Sequence, residues 1–452
     1  MLVILNFIGW FFVLSFIILV LMTIVTLKHE GEEKRIGRVL FPSSLLAGIS
    51  SYILLIDFPG KIYLLLWAEL IIFIFILTLI LPNGRIHEQG RPNPDKQLDE
   101  RDIMFARAGY KPGAESYTEY YQRRPELQEV DDEIRKMPNL CSPGTFTYHP
   151  LYAAAADAAF HFLSDIRHLA EGEKGIEAIK VEPEAISRRL KGLARYYGAQ
   201  LVGITELKPY HYYSHRGRHE EIYGQEINTH HKYALVFTVE MDYEVMKGAP
   251  QIQVVAESAK QYVEGAKIGM ILSYYIRQLG YEARNHMDGN YLVVAPLLAQ
   301  DAGLGEIGRM GILLTDQFGP RVRLGVVTTD LPLEPDIPVN LGIQNFCYIC
   351  KKCAQTCPSQ SIPHGDKELV EDVKRWRINQ EKCYTFWRKA GTDCGVCMST
   401  CPYSKPNTLL HKFVRWSIRR SQIARYFFLK ADDYLYGKRP LSLKKPNWME
   451  EN

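Results

Sequence analysis

Eight cysteines between residues 347 and 401 limit what this chain can fold into more than anything else in its 452 residues. They fall in two runs: Cys347-x2-Cys350-x2-Cys353-x3-Cys357-Pro358, then Cys383 followed by Cys394-x2-Cys397-x3-Cys401-Pro402. A cubane [4Fe–4S] cluster needs four thiolates converging on one small volume. Spacings of x2 deliver three ligands from one loop, and the fourth cysteine, turned by its proline, crosses to the other cluster. Cys347, Cys350, Cys353 and Cys401 are therefore assigned to one cluster, and Cys357, Cys383, Cys394 and Cys397 to the other. The ten residues between Cys383 and Cys394 depart from the compact pattern without changing the count of eight. Four-cysteine zinc sites also use x2 pairs, but two complete patterns in tandem favour iron. Crowding in a long chain also argues against a secreted disulfide scaffold, which is small and spreads its cysteines. It points to metal ligation in a reducing compartment. The ninth cysteine, Cys141, reads as an ordinary buried thiol.

The first 84 residues are almost entirely apolar. Leu2–Leu27 carries no charge and is long enough to cross a hydrocarbon core of about 30 Å. Ile62–Leu81 is a second such run, interrupted only by Glu69, and Val39–Phe58 is a weaker one diluted by serines, a glycine and Pro42. A signal peptide would show a basic start, a shorter apolar core and a small-residue cleavage site. The pattern instead predicts an uncleaved anchor. Lys28, Lys34, Arg35 and Arg38 flank the first junction, only Lys61 lies between the second and third spans, and Arg85, Arg91 and Lys96 follow the third. Basic residues stay on the cytoplasmic side, so three spans place the large domain in the cytoplasm, on the inner membrane. Glu69 at membrane depth requires a helix partner, a wet cavity or a quinol or proton site.

The formal charge of +3 gives no reason to expect nucleic acid as partner, but its distribution is uneven. From Lys405 onward eleven Lys or Arg face four Asp or Glu, about +7, which leaves the rest near −4. His411–Lys430 reads there as one helix, with Phe413, Trp416, Ile423 and Phe427 on an apolar face and arginines around it, placed to pack on protein or to meet lipid. Between anchor and cysteines, helical stretches alternate with short β-rich runs such as Tyr233–Val239 and Leu324–Thr329, which predicts an α+β core.

Several stretches of that region resemble the corrinoid-dependent reductive dehalogenases. They are Asp99–Arg107, Tyr120–Asp132, Tyr197–Gly203, Ile276–Tyr281, Ala302–Arg309 and Thr329–Leu333, followed directly by the double cysteine motif. The resemblance implies a nitroreductase-like corrinoid-binding core fused to a ferredoxin-like module with two [4Fe–4S] clusters. The organisation expected is an anchor at 1–84, a wrapping segment at 85–140, a corrinoid-binding catalytic domain at 141–340, the ferredoxin-like domain at 341–410 and a basic tail at 411–452. In the family cobalamin is held base-off, and no Asp-x-His-x-x-Gly motif occurs here. Members usually begin with a twin-arginine export signal and pair with a separate small anchor. This chain carries its own spans, as though anchor and enzyme were fused.

The implied reaction replaces carbon-bound halogen by hydrogen, using Co(I) cobalamin recharged through the clusters, with a tyrosine as proton donor and a neighbouring cation lowering its pKa. The family's tyrosine follows a small hydroxyl residue by four positions, which Ser258 and Tyr262 satisfy. The cation, about sixty residues on, becomes Arg323, with Arg321 and Arg309 as fallbacks, and Asn285 or Asn290 fills a polar supporting position. Tyr243 is the rival donor. Gly303, Gly305 and Gly308 either let backbone approach a large planar ligand or shape a tight strand connection. The partners implied are a small organohalide, membrane lipid and a membrane or cytoplasmic low-potential electron donor, with no nucleic acid. Two other functions fit parts of the pattern. Epoxyqueuosine reductases share a corrinoid core, a double cluster and a similar Gly-Leu-Gly-x-Ile-Gly motif but use an acidic proton donor, and a membrane ferredoxin would carry electrons without catalysis.

Overall fold

The computed structural model describes residues 2–84, 96–228, 231–370, 373–438 and 445–449. It divides into two compact units: Met1–His87 with Asn345–Cys350 and Lys405–Pro440, and Glu88–Gln344 with Lys351–Ser404 and Leu441–Asn452.

In the first unit, α1 (Leu2–His29), α2 (Ile36–Leu55) and α3 (Lys61–Ile80) are each long and apolar enough to cross a membrane. The middle segment, the weakest in sequence, is thus a helix of the same kind, with Pro42 inside it. Phe7, Phe11, Phe41, Trp67 and Phe73 point outward, as helices solvated by lipid require. Glu69 Oε1 has no hydrogen-bond partner among the described residues. Arg85 and Arg91, part of the basis for orientation, lie outside the described residues.

The segment expected as one helix over His411–Lys430 is two, Leu409–Arg420 and Gln422–Tyr436, broken at Ser421. Capping explains the break. Ser421 Oγ accepts from the Ala424 amide at 3.0 Å, and the Asn83 side chain accepts from the Gln422 amide at 2.8 Å. The free amides of the second helix are satisfied there, so the chain turns rather than continues. The resulting hairpin packs on the anchor itself. Phe427 meets Phe75 edge-on at 5.2 Å, and Glu30, fully buried, lies 2.5 Å from His411 Nε2 and accepts from the Tyr436 hydroxyl at 2.6 Å. Burial pushes the Glu30 carboxyl up, but the bonds from His411 and Tyr436 and the charges of His411 and Lys405 outweigh it. The carboxyl is held below its usual range.

The second unit is built on an antiparallel sheet. Its strands are β1 (Val202–Glu206), β2 (Tyr233–Glu240), β3 (Ala283–His286) and β6 (Val322–Thr329), in the order β1-β2-β6-β3. A separate hairpin, β4 (Glu306–Ile307) and β5 (Leu313–Leu314), precedes β6. The two runs expected as strands are β2 and β6, and they lie side by side with Thr238 opposite Leu324. Strand periodicity divides β2 between two cores. Leu235, Phe237 and Val239 join Ile268, Leu272 and Ile276 of the long helix Gln253–Gln278, whereas Ala234 and Val236 join Leu298 and Ala299 of the helix Ala295–Asp301. Each fully buried Leu, Ile or Phe contributes about 1.5–3 kcal/mol relative to exposure. Gly325 of β6 admits the Phe237 ring, since a Cβ there would stand 2.2 Å from it. Helices on both faces of the sheet give the mixed helix-and-strand architecture expected.

The segment before the sheet straps the cysteine-bearing region. Arg107, fully buried, bonds Asp131 through two nitrogens at 3.0 and 2.8 Å and Glu381 through a third at 2.6 Å. Arg388 donates to the carbonyls of Pro138 and Met137 at 2.6 and 2.5 Å.

Candidate active site

Ser258 and Tyr262 stand four residues apart on the helix Gln253–Gln278 and so share a face. Tyr262 packs its ring against Phe160 at 6.2 Å, with Leu163, Met270 and Met287 beside it. Across from it, near the start of β6, Arg323 lies opposite Val239 in register. The Arg323 guanidinium carbon is 5.1 Å from the centre of the Tyr262 ring. One nitrogen, Nη2, donates to Ser258 Oγ at 2.5 Å and to Asp393 Oδ2 at 2.7 Å, and the Ser258 hydroxyl also donates to Asp393. The Arg323 and Asp393 side chains are only 18% and 10% exposed, so this is a semi-enclosed ion pair rather than a surface one. The pair expected from the resemblance is thus brought together. Asp393, which the sequence reading did not single out, completes it; its place directly before Cys394 was the available signal.

Burial raises the Tyr262 phenol above its ordinary value. Arg323 and Arg218 pull it down, Asp288 and Asp393 push it further up, and the net direction is upward. The cation acts in the expected, lowering direction but does not overcome burial. Tyr262 holds its proton firmly. Burial likewise raises Asp393 against the pull of Arg323 and Ser258. Tyr291, whose hydroxyl donates to the Leu324 carbonyl at 3.2 Å, is raised well above its usual value by burial first and by Tyr262 and Asp288 after it.

The other candidates lie elsewhere. Arg321, fully buried, donates to the Ser404 and Met241 carbonyls, both at 2.5 Å, and to Glu240 at 2.9 Å, with its guanidinium 5.3 Å from the Tyr243 ring centre. Arg309 donates to the Pro363 and Gly365 carbonyls at 2.8 and 2.7 Å and stacks over Trp376. Asn285 is buried beneath the long helix, its amide donating to the Ala266 carbonyl at 3.3 Å. Asn290 gathers two cations, accepting from Arg284 at 2.7 Å and Arg216 at 3.0 Å. A Cβ at Gly303 would stand 2.7 Å from the Ile337 carbonyl and one at Gly305 2.2 Å from that of Leu314, while the Gly308 amide closes the β4–β5 hairpin onto Ile312. Protein backbone fills the space beside Gly303 and Gly305.

Cys357, Cys383, Cys394 and Cys397 lie in the second unit and act on one another electrostatically. Burial and the neighbouring thiols push Cys383 up to about 11 and Cys394 up to about 12. Such thiols ionise only when a cation joins them, which an iron cluster provides. Cys357 is lowered instead: burial raises it, but the Ser359 hydroxyl and the amides of Ser361, Ser359 and Ile362 outweigh that. Among the described residues no three Cys, His, Asp or Glu close on one point as a single ion demands. A cubane, binding each thiolate through a different iron, requires them further apart. Cys353 and Cys401 are buried in the second unit, and Cys347 and Cys350 belong to the first. Cys141 is buried and pushed up to about 12, chiefly by burial.

Around Tyr262 the donor set suits a large polar ligand. Beside Tyr262, Arg323 Nε is buried without a hydrogen-bond partner among the described residues, and Arg216 Nε of the same unit is in the same state, whereas Arg218 Nε lies 3.7 Å from a Glu100 carboxylate oxygen. Buried donors left in this state await an acceptor.

Residues 346–405 match the 4Fe-4S dicluster domain family. A tetrachloroethene reductive dehalogenase of Sulfurospirillum multivorans is 32% identical over 292 residues, covering 57% of this chain and 58% of that protein. The solved structure of the catabolic reductive dehalogenase NpRdhA in complex with 3-bromo-4-hydroxybenzoic acid superposes with a TM-score of 0.65 at 27% identity. It covers 79% of this chain and 49% of that one. An epoxyqueuosine reductase of Lactococcus garvieae is 30% identical over 123 residues, 24% of this chain and 31% of that protein. The chain thus spans about half the length of the reductive dehalogenases it matches.

Proposed function

We propose, from its similarity to reductive dehalogenases, with epoxyqueuosine reductases matching over a shorter stretch, that the chain removes halide reductively from a small organohalide. The observation that carries the reading is Tyr262 beneath Arg323, a partly buried acid facing a fixed cation. In balance, the carbon–halogen bond takes up two electrons and one proton, giving a carbon–hydrogen bond and a halide ion. Tyr262 supplies the proton from its phenol oxygen, and Arg323 stabilises the phenolate left behind. Asp393 and Ser258 hold the guanidinium in place, and Tyr291 and Met287 help exclude water from the acid.

Cobalamin, held base-off as in the family, supplies the strongly reducing centre when bound. The unpartnered nitrogens of Arg216 and Arg323 suit the carboxamide rim of such a ring, and the sheet with its helices serves as the nitroreductase-like core. The two sets of cysteines given above would hold two [4Fe–4S] clusters, which would supply one-electron transfer from a low-potential membrane or cytoplasmic donor. The functional partition proposed is anchor 1–84, wrapping segment 85–140, corrinoid domain 141–340, cluster domain 341–410 and basic tail 411–452. The anchor sits in the inner membrane with the large domain on the cytoplasmic side, and the basic residues at Lys28–Arg38 support that side.

The test is anaerobic reconstitution with iron, sulfide and cobalamin. Halide release is then followed from tetrachloroethene and 3-bromo-4-hydroxybenzoic acid, with a reduced viologen as donor. About eight irons per chain are expected, together with bound cobalt and cobalamin-dependent halide release; Cys394→Ser and Cys350→Ser should each remove one cluster. Protein that takes up iron but no cobalt would be an electron carrier, and the proposal would fall.

A further inference from the structure

The loop that delivers Cys394 also delivers Asp393, and its backbone is bent to do both. Gly391, Cys394 and Gly395 take left-handed φ of 81°, 62° and 71°. Cys394 is the telling one, because a residue with a side chain resists that region. At Gly391 a Cβ would collide with the Thr145 side chain, and the Gly395 amide closes back on the Asp393 carbonyl at 2.8 Å. The bend separates neighbours: Cys394 goes to the cysteine set, while Asp393 reaches the Arg323–Ser258 pair. Arg323 has few other restraints. Its Nη2 bonds go to Ser258 and Asp393, and its Nε has no partner among the described residues.

We infer that Asp393 is a positioning residue: its carboxylate ties the cysteine loop to Arg323 and so sets the guanidinium over Tyr262. This rests on the reading of Tyr262 as proton donor and extends it, because the loop that holds an electron-carrying cluster then also fixes the geometry of proton delivery. Asp393 acts through Arg323, and its effect should vanish once Arg323 is gone.

A double-mutant cycle on the reconstituted full-length protein tests this, with halide release from tetrachloroethene or 3-bromo-4-hydroxybenzoic acid as readout. Asp393→Asn should lower kcat about tenfold with KM unchanged and leave iron and cobalt content and the cluster EPR signals intact. In an Arg323→Gln background the same substitution should cost less than about twofold. Asp393→Glu, which keeps the charge, should recover part of the loss, and it replaces Asp393→Asn in the cycle if that variant does not accumulate. An equal loss in both backgrounds, unchanged kcat in the single variant, or loss of iron from it would each overturn the inference. Tyr262→Phe, run in parallel, separates the two levels. If it retains full turnover, the proton-donor reading falls and this inference with it; if it is inactive while the cycle is additive, only the role of Asp393 falls.

Discussion

Arg321 and Arg323 are two residues apart in one stretch of chain, and each guanidinium lies over a tyrosine ring, yet their hydrogen-bond partners differ. Arg321 is enclosed by two backbone carbonyls and the carboxylate of Glu240. Arg323 is held at one nitrogen by Ser258 and Asp393, with its guanidinium over a phenol. A guanidinium bonded to main-chain oxygens joins segments together. One restrained from a single side keeps charge available for something else, and buried charge at a proton donor is where electrostatics counts most. Arg321 is fully buried and Arg323 only semi-enclosed, and their partners separate them further.

Removing the acid itself is the strongest way to break this comparison. Tyr262→Phe should lower turnover by about 10²–10⁴-fold while iron and cobalt content hold, measured by halide release and metal analysis. If Tyr243→Phe is inactive instead, the Arg321 neighbourhood is the active one. Next comes Arg321→Gln, which strands the Ser404 and Met241 carbonyls and frees Glu240. It should destabilise the second unit by about 2 kcal/mol, read from denaturant unfolding, and leave turnover per cobalt-loaded molecule nearly unchanged. Ser258→Ala is milder. It withdraws one of the two partners of Arg323 Nη2 and should cost about 1 kcal/mol, roughly fivefold in kcat, with no change in unfolding midpoint beyond a few degrees.

The smallest effect concerns pH and sharpens the structural side of the comparison. Asp301 is buried beside His211 at 3.1 Å and accepts from the Tyr210 hydroxyl. Burial pushes its carboxyl up, but those two bonds and the charges of His211 and Lys208 hold it below the usual range. A carboxyl lowered in the folded state stabilises fully above its unfolded value of about 4 and loses that contribution as pH falls through the folded value. Melting followed from pH 6 downward should show the decline in this acid window, and Asp301→Asn should flatten it.

What the sequence made legible follows from range. Cysteine spacing, the apolar runs and the alternation of β2 and β6 are local patterns, and the structure contains the spans and strands they imply. Tyr262 and Arg323 came from resemblance, since no period of either helix or strand announces that Val239 and Arg323 sit opposite one another. Asp393 was passed over because its neighbours drew attention as ligands. The break at Ser421 was within reach, because a serine three residues before a free amide is a capping signal. It was overridden by an apolar pattern that ran through it. That Glu30 should meet His411 was beyond any window on the sequence, because 381 positions separate them.

That last contact has a consequence for how the protein is made. The helices α1 to α3 are made before the hairpin that packs on them, and Glu30, buried against His411 and Tyr436, has neither partner until those residues are made. Asn83 likewise waits to cap a helix that starts at Gln422. The three apolar helices are therefore half-finished until residues 409–436 have been translated and the two pieces can close on each other. A chain ending before Lys405 should leave the first unit incompletely packed, which faster limited proteolysis of α1 to α3 would reveal.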